Sequence, residues 1–205
     1  YLKNIHETFK EIELIGVCDL VRERAEKAQQ EYNIPKIYET MHDAFADPEV
    51  EMVLNLTRPY EHFEVSKAAL EAGKHVISEK PVTLTSRDLQ AMIDASREHH
   101  RIFSVHQNRR WDEDFLVMKK IYQENTLGRV FNIESRVHGS RGVPGDWRNR
   151  KLPGGGMILD WGVHLLDQAL QMFGDEKVVS VGAHLCKVFA NEVDDNNKLF
   201  LRFEK

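Results

Sequence analysis

The alternation of short apolar runs with charged helical stretches in the first half limits this chain's fold more than any other feature. Residues 12–18 (IELIGVC) are apolar apart from Glu13, as a strand covered on both faces should be. Residues 21–32 read as a charged helix, and residues 52–56 (MVLNL) as the next core strand. Residues 61–72 place Val65, Ala68, Ala69 and Ala72 at helical spacing, with Gly73 as the stop. Residues 75–78 form a further short strand, 86–99 a helix capped by Thr85, and 102–106 another strand. Strand and helix in this rhythm imply right-handed crossovers and a parallel sheet with helices on both faces, the doubly wound α/β class.

After Arg110 the rhythm changes. Residues 112–124 read as a helix closed by Gly128, 130–138 as extended, 139–155 as a polar glycine-rich loop, and 156–173 as a long helix closed by Gly174. Residues 178–184 and 199–203 read as strands; Leu199, Leu201 and Phe203 alternate with Phe200, Arg202 and Glu204, which suits one covered and one open face. The second half is therefore expected to be α+β on a mostly antiparallel open sheet, giving two domains, 1–109 and 110–205. No internal repeat or low-complexity tract is present.

Composition narrows the class of function. A net charge of -5 argues against a general nucleic-acid binder, which needs a basic face for phosphates. No apolar run approaches the roughly 20 residues of a bilayer-spanning helix, and Tyr1–His6 lack the apolar core of a secretory leader. Cys18 and Cys186 build no disulfide framework, in keeping with a reducing, cytoplasmic setting.

Ligands in open α/β sheets gather at the carboxyl ends of the strands, and three of those ends stand out. Asp19 follows the first strand, where an acid accepts hydrogen bonds from dinucleotide ribose hydroxyls or caps the next helix. Thr57-Arg58-Pro59-Tyr60 makes a turn held open by a residue without an N–H, with His62 nearby. Glu79-Lys80-Pro81 aims a lysine at the crevice, where it either hydrogen-bonds a substrate hydroxyl or pairs with Glu79 on the surface. In the second half, Asp160 and His164 stand four apart and share one face of a regular helix. Asp160 is placed to fix the tautomer of His164, which then acts as acid or base near neutrality; a structural hydrogen bond is the rival reading. A metal site is not expected, because two ligands are too few. Gly162 leaves room for backbone or ligand, and Gly154-Gly155-Gly156 lets the helix start close to other backbone. Trp147 and Arg148 either contact substrate or anchor their loop.

Taken together, Val17-Cys18-Asp19, the Thr57–Pro59 turn with His62, Ala72-Gly73-Lys74-His75-Val76 leading to Glu79-Lys80-Pro81, Gln107-Asn108-Arg109-Arg110-Trp111, and Trp147-Arg148 followed by residues 154–167 resemble the Gfo/Idh/MocA oxidoreductase family. The resemblance spans nearly the whole chain. It implies a Rossmann domain, an α+β substrate domain, and hydride transfer between a nicotinamide and a sugar or cyclitol carbinol. It implies Lys80, Asp160 and His164 as the catalytic set, with Asp160 holding His164. It further implies Asp19, Thr57, Pro59, His62, Glu79 and Lys80 at the cofactor, and Arg109, Trp147 and Arg148 with Asp160 and His164 at the substrate. NAD is the expected cofactor, because a carboxylate at Asp19 repels a 2'-phosphate; Arg22 and Arg24 leave NADP open. The family's strand, Gly-x-Gly-x-x-Gly turn and helix are expected to precede the chain, which starts inside that helix at residues 1–9 and stops within the second sheet. The expected protein is a fragment of a longer cytoplasmic dehydrogenase that forms homo-oligomers through its C-terminal sheet. The alternatives are a non-catalytic sugar- or nucleotide-sensing regulator and an inactive truncated product.

Overall fold

The computed structural model describes residues 1–139, 143–151, 154–174, 176–189 and 192–204. In chain order the elements are α1 (Leu2–Thr8), β1 (Gly16–Val17), α2 (Arg22–Tyr32), β2 (Lys36–Ile37), α3 (Met41–Ala46), β3 (Met52–Asn55), α4 (His62–Glu71), β4 (His75–Ser78), α5 (Ser86–Glu98), β5 (Phe103–Val105), α6 (Glu113–Gln123), α7 (Val163–Phe173), β6 (Val178–Cys186) and β7 (Asn196–Phe203). Short 3-10 turns occupy Asn108–Trp111 and Trp147–Asn149, and a π-turn, Ile158–Gly162, leads into α7. The chain divides into two compact units. The first comprises Tyr1–Asn55, Glu64–Ile77 and Gln90–Ser104, and the second Leu56–Phe63, Ser78–Leu89 and Val105–Lys205.

The first unit is the Rossmann-type layer. Strands β1 and β2 pair in parallel, and β3, β4 and β5 form a sheet in that order. The Val76 amide donates to Ile102 and the His106 amide to Ser78; partners that advance in the same direction along both strands mark a parallel pair. The core consists of Ala25, Ile34, Phe45, Val50, Ala69, Leu70, Val76, Met92 and Ala95, drawn from α2, α3, α4, β4, α5 and the loops between them. The first strand is shorter than its apolar run suggests, because a ladder extends only as far as its partner and β2 supplies two residues. β2 and α3 carry no periodic pattern long enough to read, although Thr40 and Asp43 form a complete capping box at the start of α3. The cap expected at Thr85 is present: its Oγ1 accepts from the Asp88 amide at 3.1 Å.

The second unit carries the antiparallel pair β6–β7, with Val181 opposite Leu201 and Ala183 opposite Leu199. On β7 every second residue is exposed, which matches the expected alternation. Phe173 at the end of α7 stacks on Phe203 at 4.1 Å. Residues 130–138, expected to be extended, form no strand: an isolated segment without a hydrogen-bonded neighbour makes no sheet. The long helix expected over 156–173 is instead the π-turn followed by α7. The glycine-rich loop is described apart from 140–142 and 152–153, which lie outside the described residues.

Candidate active site

The residues that converge in the second unit come from three strand or loop ends and one helix. They are Glu79 and Lys80 just past β4, Asn108 and Arg109 in the turn after β5, Arg148 in the second 3-10 turn, and Asp160, Trp161 and His164 at the π-turn and the start of α7. Together they line one cavity of about 270 Å³, close to the lower end of the size range of small-molecule sites. Lys80, Asp160 and His164, expected to act together, all face this space.

Lys80 Nζ donates to Asp160 Oδ1 at 2.8 Å and to the Asp160 carbonyl at 2.7 Å. Both side chains are nearly covered, at 16% and 12% exposure. An ammonium has three donors, so one remains for a ligand oxygen. The other carboxylate oxygen of Asp160 accepts from Arg148 Nε at 3.1 Å. Arg148 is itself held by Asp146 at 2.7 Å and lies over the Trp147 ring at 4.5 Å. Trp147 therefore supports Arg148 and is not among the lining residues. Arg109 lies over the Trp161 ring at 4.0 Å and pairs with Asp112 at 2.9 Å.

Asp160 does not hold His164, contrary to the sequence expectation. Both of its carboxylate oxygens serve Lys80 and Arg148. His164 Nδ1 lies 3.0 Å from Gln107 Oε1 instead. The reason is local. The Val163 amide bonds to the Ile158 carbonyl, five residues back, so the turn is wider than α-helical and residues four apart are no longer stacked. His164 is 4% exposed. Burial, then the neighbouring Lys80 and Arg109, push its pKa down to about 4, against a smaller opposing pull from Asp160 and Glu79. The imidazole is neutral at pH 7.

Gly162 leaves no open room: an added Cβ there would meet Ile158 Cγ1 at 3.1 Å. The glycine run behaves as expected, since a Cβ on Gly155 would stand 2.3 Å from the Arg148 carbonyl oxygen. The Asp194 carbonyl accepts from the Met157 amide, and Asp194 Oδ2 caps the Ile158 amide at 2.8 Å, fixing where the π-turn begins.

The residues expected at the cofactor divide. Glu79 lines the cavity, and its carboxylate accepts from the Lys80 amide at 2.8 Å and contacts His106 Nδ1 at 3.1 Å. His62 is 1% exposed, with Nδ1 2.8 Å from the Pro81 carbonyl and Nε2 2.9 Å from the Thr57 carbonyl. A ring so covered braces the two turns. Pro59 is buried too, near Gly154, while Thr57 is exposed. Asp19 belongs to the first unit; its Oδ1 accepts from the Val21 amide at 2.8 Å in a turn ahead of α2, and the second oxygen keeps its acceptor capacity. Among the described residues no cluster of histidine, cysteine, aspartate or glutamate suits a metal ion.

Sequence reasoning did not assign roles to Gln107, Asn108 or Trp161. Gln107 was within reach, since it sits just past β5 and the rule that singles out Asp19 and Lys80 applies equally there.

Comparison with known proteins agrees with this architecture. The family described as "Oxidoreductase family, NAD-binding Rossmann fold" matches residues 1–107, and the GFO/IDH/MocA C-terminal domain matches residues 115–205. A scyllo-inositol 2-dehydrogenase (NADP(+)) of Bacillus subtilis is 30% identical over 179 residues, 87% of this chain and 50% of that protein. An inositol 2-dehydrogenase of Salmonella typhimurium is 32% identical over 146 residues, 70% of this chain and 44% of that protein. The crystal structure of an NAD-binding protein from Listeria innocua superposes with a TM-score of 0.92 at 48% identity, covering 98% of this chain and 59% of that one. The chain thus spans about half the length of the curated relatives it matches. Both of its halves answer to the two domains of one family: this chain belongs to the Gfo/Idh/MocA oxidoreductases.

Proposed function

We propose that the chain carries the catalytic and substrate-binding groups of an NAD(P)-dependent dehydrogenase acting on a secondary alcohol of a sugar or cyclitol. The observation that carries this reading is the pairing, in one polar cavity, of a lysine with a free donor and a buried neutral imidazole. Relatives named for the oxidation of inositols support the substrate class.

Lys80 donates its remaining hydrogen to the oxygen of the reacting hydroxyl. His164 takes the hydroxyl proton. When bound, the nicotinamide would accept the hydride from the carbinol carbon; with the hydroxyl proton passed to His164, the alcohol has lost a hydride and a proton and is a ketone. A base as weak as His164 takes the proton late, once departure of the hydride has made that proton acidic. Asp160 fixes Lys80, and Arg148 fixes Asp160. Arg109 and Asn108 are left to meet further hydroxyls.

On the cofactor side, the free carboxylate oxygen of Asp19 fits a ribose hydroxyl and favours NAD over NADP by repelling a 2'-phosphate. Arg22 is drawn to Glu26 and Glu39, which weakens its claim as a phosphate partner; Arg24 keeps NADP open. Thr57, Glu79 and Lys80 complete the proposed contacts.

The test follows reduced-nicotinamide absorbance with a panel of inositols and hexoses. Lys80→Ala is expected to lower kcat by about 10²-fold or more, the usual scale for a positioned proton-transfer group. Undiminished turnover in that variant would count decisively against the assignment.

A further inference from the structure

We infer that Gln107 is a positioning residue that locks the neutral imidazole of His164 in the Nδ1–H tautomer, leaving Nε2 as the bare acceptor. The chemical meaning rests on the dehydrogenase reading above; the structural content does not.

The inference follows from what lies at the two ends of one amide. Gln107 Nε2 faces the Val163 carbonyl at 3.5 Å, a long contact, and Gln107 Oε1 faces His164 Nδ1 at 3.0 Å. A carbonyl oxygen only accepts, so the amide nitrogen must be the end turned to Val163. The reversed amide would set two oxygens against each other there. With Oε1 thereby fixed toward the ring, Nδ1 must carry the hydrogen it donates. Burial beside Lys80 and Arg109 keeps the ring neutral, so the hydrogen on Nδ1 is the only one and Nε2 has none. Gln107 does not line the cavity, whereas His164 does. The committed nitrogen therefore faces away from the lining groups, and Nε2 is the one available to a substrate hydroxyl.

Gln107 is itself held in place. Arg110 grips Asp167 of α7 through two bonds, of 2.7 and 2.6 Å, and Gln168 of α7 donates to the Arg109 carbonyl at 2.8 Å. The turn after β5 is thus bolted to the helix that carries His164, with Gln107 at its head. The charged groups around the ring are Lys80 and Glu79 past β4, Arg109 in this turn, and Asp160 in the π-turn. None of these replaces Gln107 at Nδ1.

The test is imidazole 15N NMR on the histidine-labelled 205-residue chain at pH 7. His164→Asn identifies the signal among the ten histidines. The wild type is expected to show Nδ1 protonated and Nε2 bare. Gln107→Leu should move the ring toward the Nε2–H tautomer, and Gln107→Glu, which still accepts from Nδ1–H, should keep the wild-type pattern. In the cofactor-bound enzyme, Gln107→Leu should lower kcat by about 10²-fold with little change in the KM for cofactor; Gln107→Glu should restore turnover and move the acidic limb of the pH–rate profile upward. An Nε2–H signal in the wild type, or the same spectrum in wild type and Gln107→Leu, overturns the inference whatever the activity. The expected spectra in a protein that oxidises no polyol would uphold the tautomer lock and reject the dehydrogenase reading instead. If Gln107→Leu fails to fold, Gln107→Glu carries the test, since loss of the Nδ1–H signal in that variant is equally fatal.

Discussion

His164 shows how a single residue can couple chemistry to stability. Its ring is almost wholly covered and stands near two cations, so charging it is unfavourable in the folded chain and ordinary in the unfolded one. The sign follows directly. The unfolded histidine binds a proton near pH 6.5 and the folded one only near 4, so between these values the unfolded state holds more protons and stability falls as pH falls. Above about 6.5 the contribution is constant, and below about 4 the loss is complete. Taken as an upper bound, the difference amounts to about 3 kcal/mol. Urea unfolding of the wild type and of His164→Gln, compared at pH 7 and pH 4.5, measures it. The wild type should lose more stability than the variant across that interval, whereas parallel losses would mean that the imidazole is not buried as described.

The elements around the site differ in how much of them the sequence disclosed. Helices α4, α5 and α6 and strands β4 and β7 were legible, because each carries its own periodic pattern, cap or stop within the segment. The π-turn was not. Its start is set by Asp194, which bonds the amides of Met157 and Ile158 from more than thirty residues downstream, and no local pattern registers so distant a partner. The same gap explains why Lys80, Asp160 and His164 line one cavity while His164 has a partner other than Asp160: the Asp-x-Gly-x-His spacing assumes α-geometry. The glycine run is a further link between element and site. The Gly155 amide bonds to the Arg150 carbonyl and the Gly156 amide to the Arg148 carbonyl, at 3.1 and 2.8 Å, tying the 3-10 turn with Arg148 to the head of the π-turn. A methyl on Gly155 would strike both carbonyl oxygens, at 2.3 and 2.4 Å, and backbone would have to move. Gly155→Ala is therefore expected to cost about 1–3 kcal/mol in chemical unfolding and to impair turnover by releasing Arg148 from Asp160. Gly145→Ala, with nothing within 4 Å of the added carbon, should do neither. Equal behaviour of the two variants would show that the glycine run does not support the site.

At the scale of the whole molecule, the antiparallel sheet of the second unit keeps apolar side chains exposed on one face. On β6, Val181 and Leu185 fall on the same face as Leu199, Leu201 and Phe203 of β7, since they stand opposite Leu201 and Asn197 in the register. Phe173 covers the end of this face at Phe203, yet Val181 is 65% and Leu185 52% exposed. Contiguous apolar side chains on a sheet face favour burial against another surface, and each such residue contributes about 1.5–3 kcal/mol when fully covered. A second copy offers the same face, and two such faces suit each other through a two-fold axis. The 205-residue chain is accordingly expected to sediment above the monomer mass at micromolar concentration, and Val181→Lys combined with Leu185→Glu to return it to a monomer with unchanged helix content. Neither position lines the cavity that holds Lys80 and His164, so the tautomer signal of His164 serves as an internal check that the second unit is still folded. A wild type that remains monomeric over a hundredfold range of concentration would mean that the sheet face does not drive self-association in this chain.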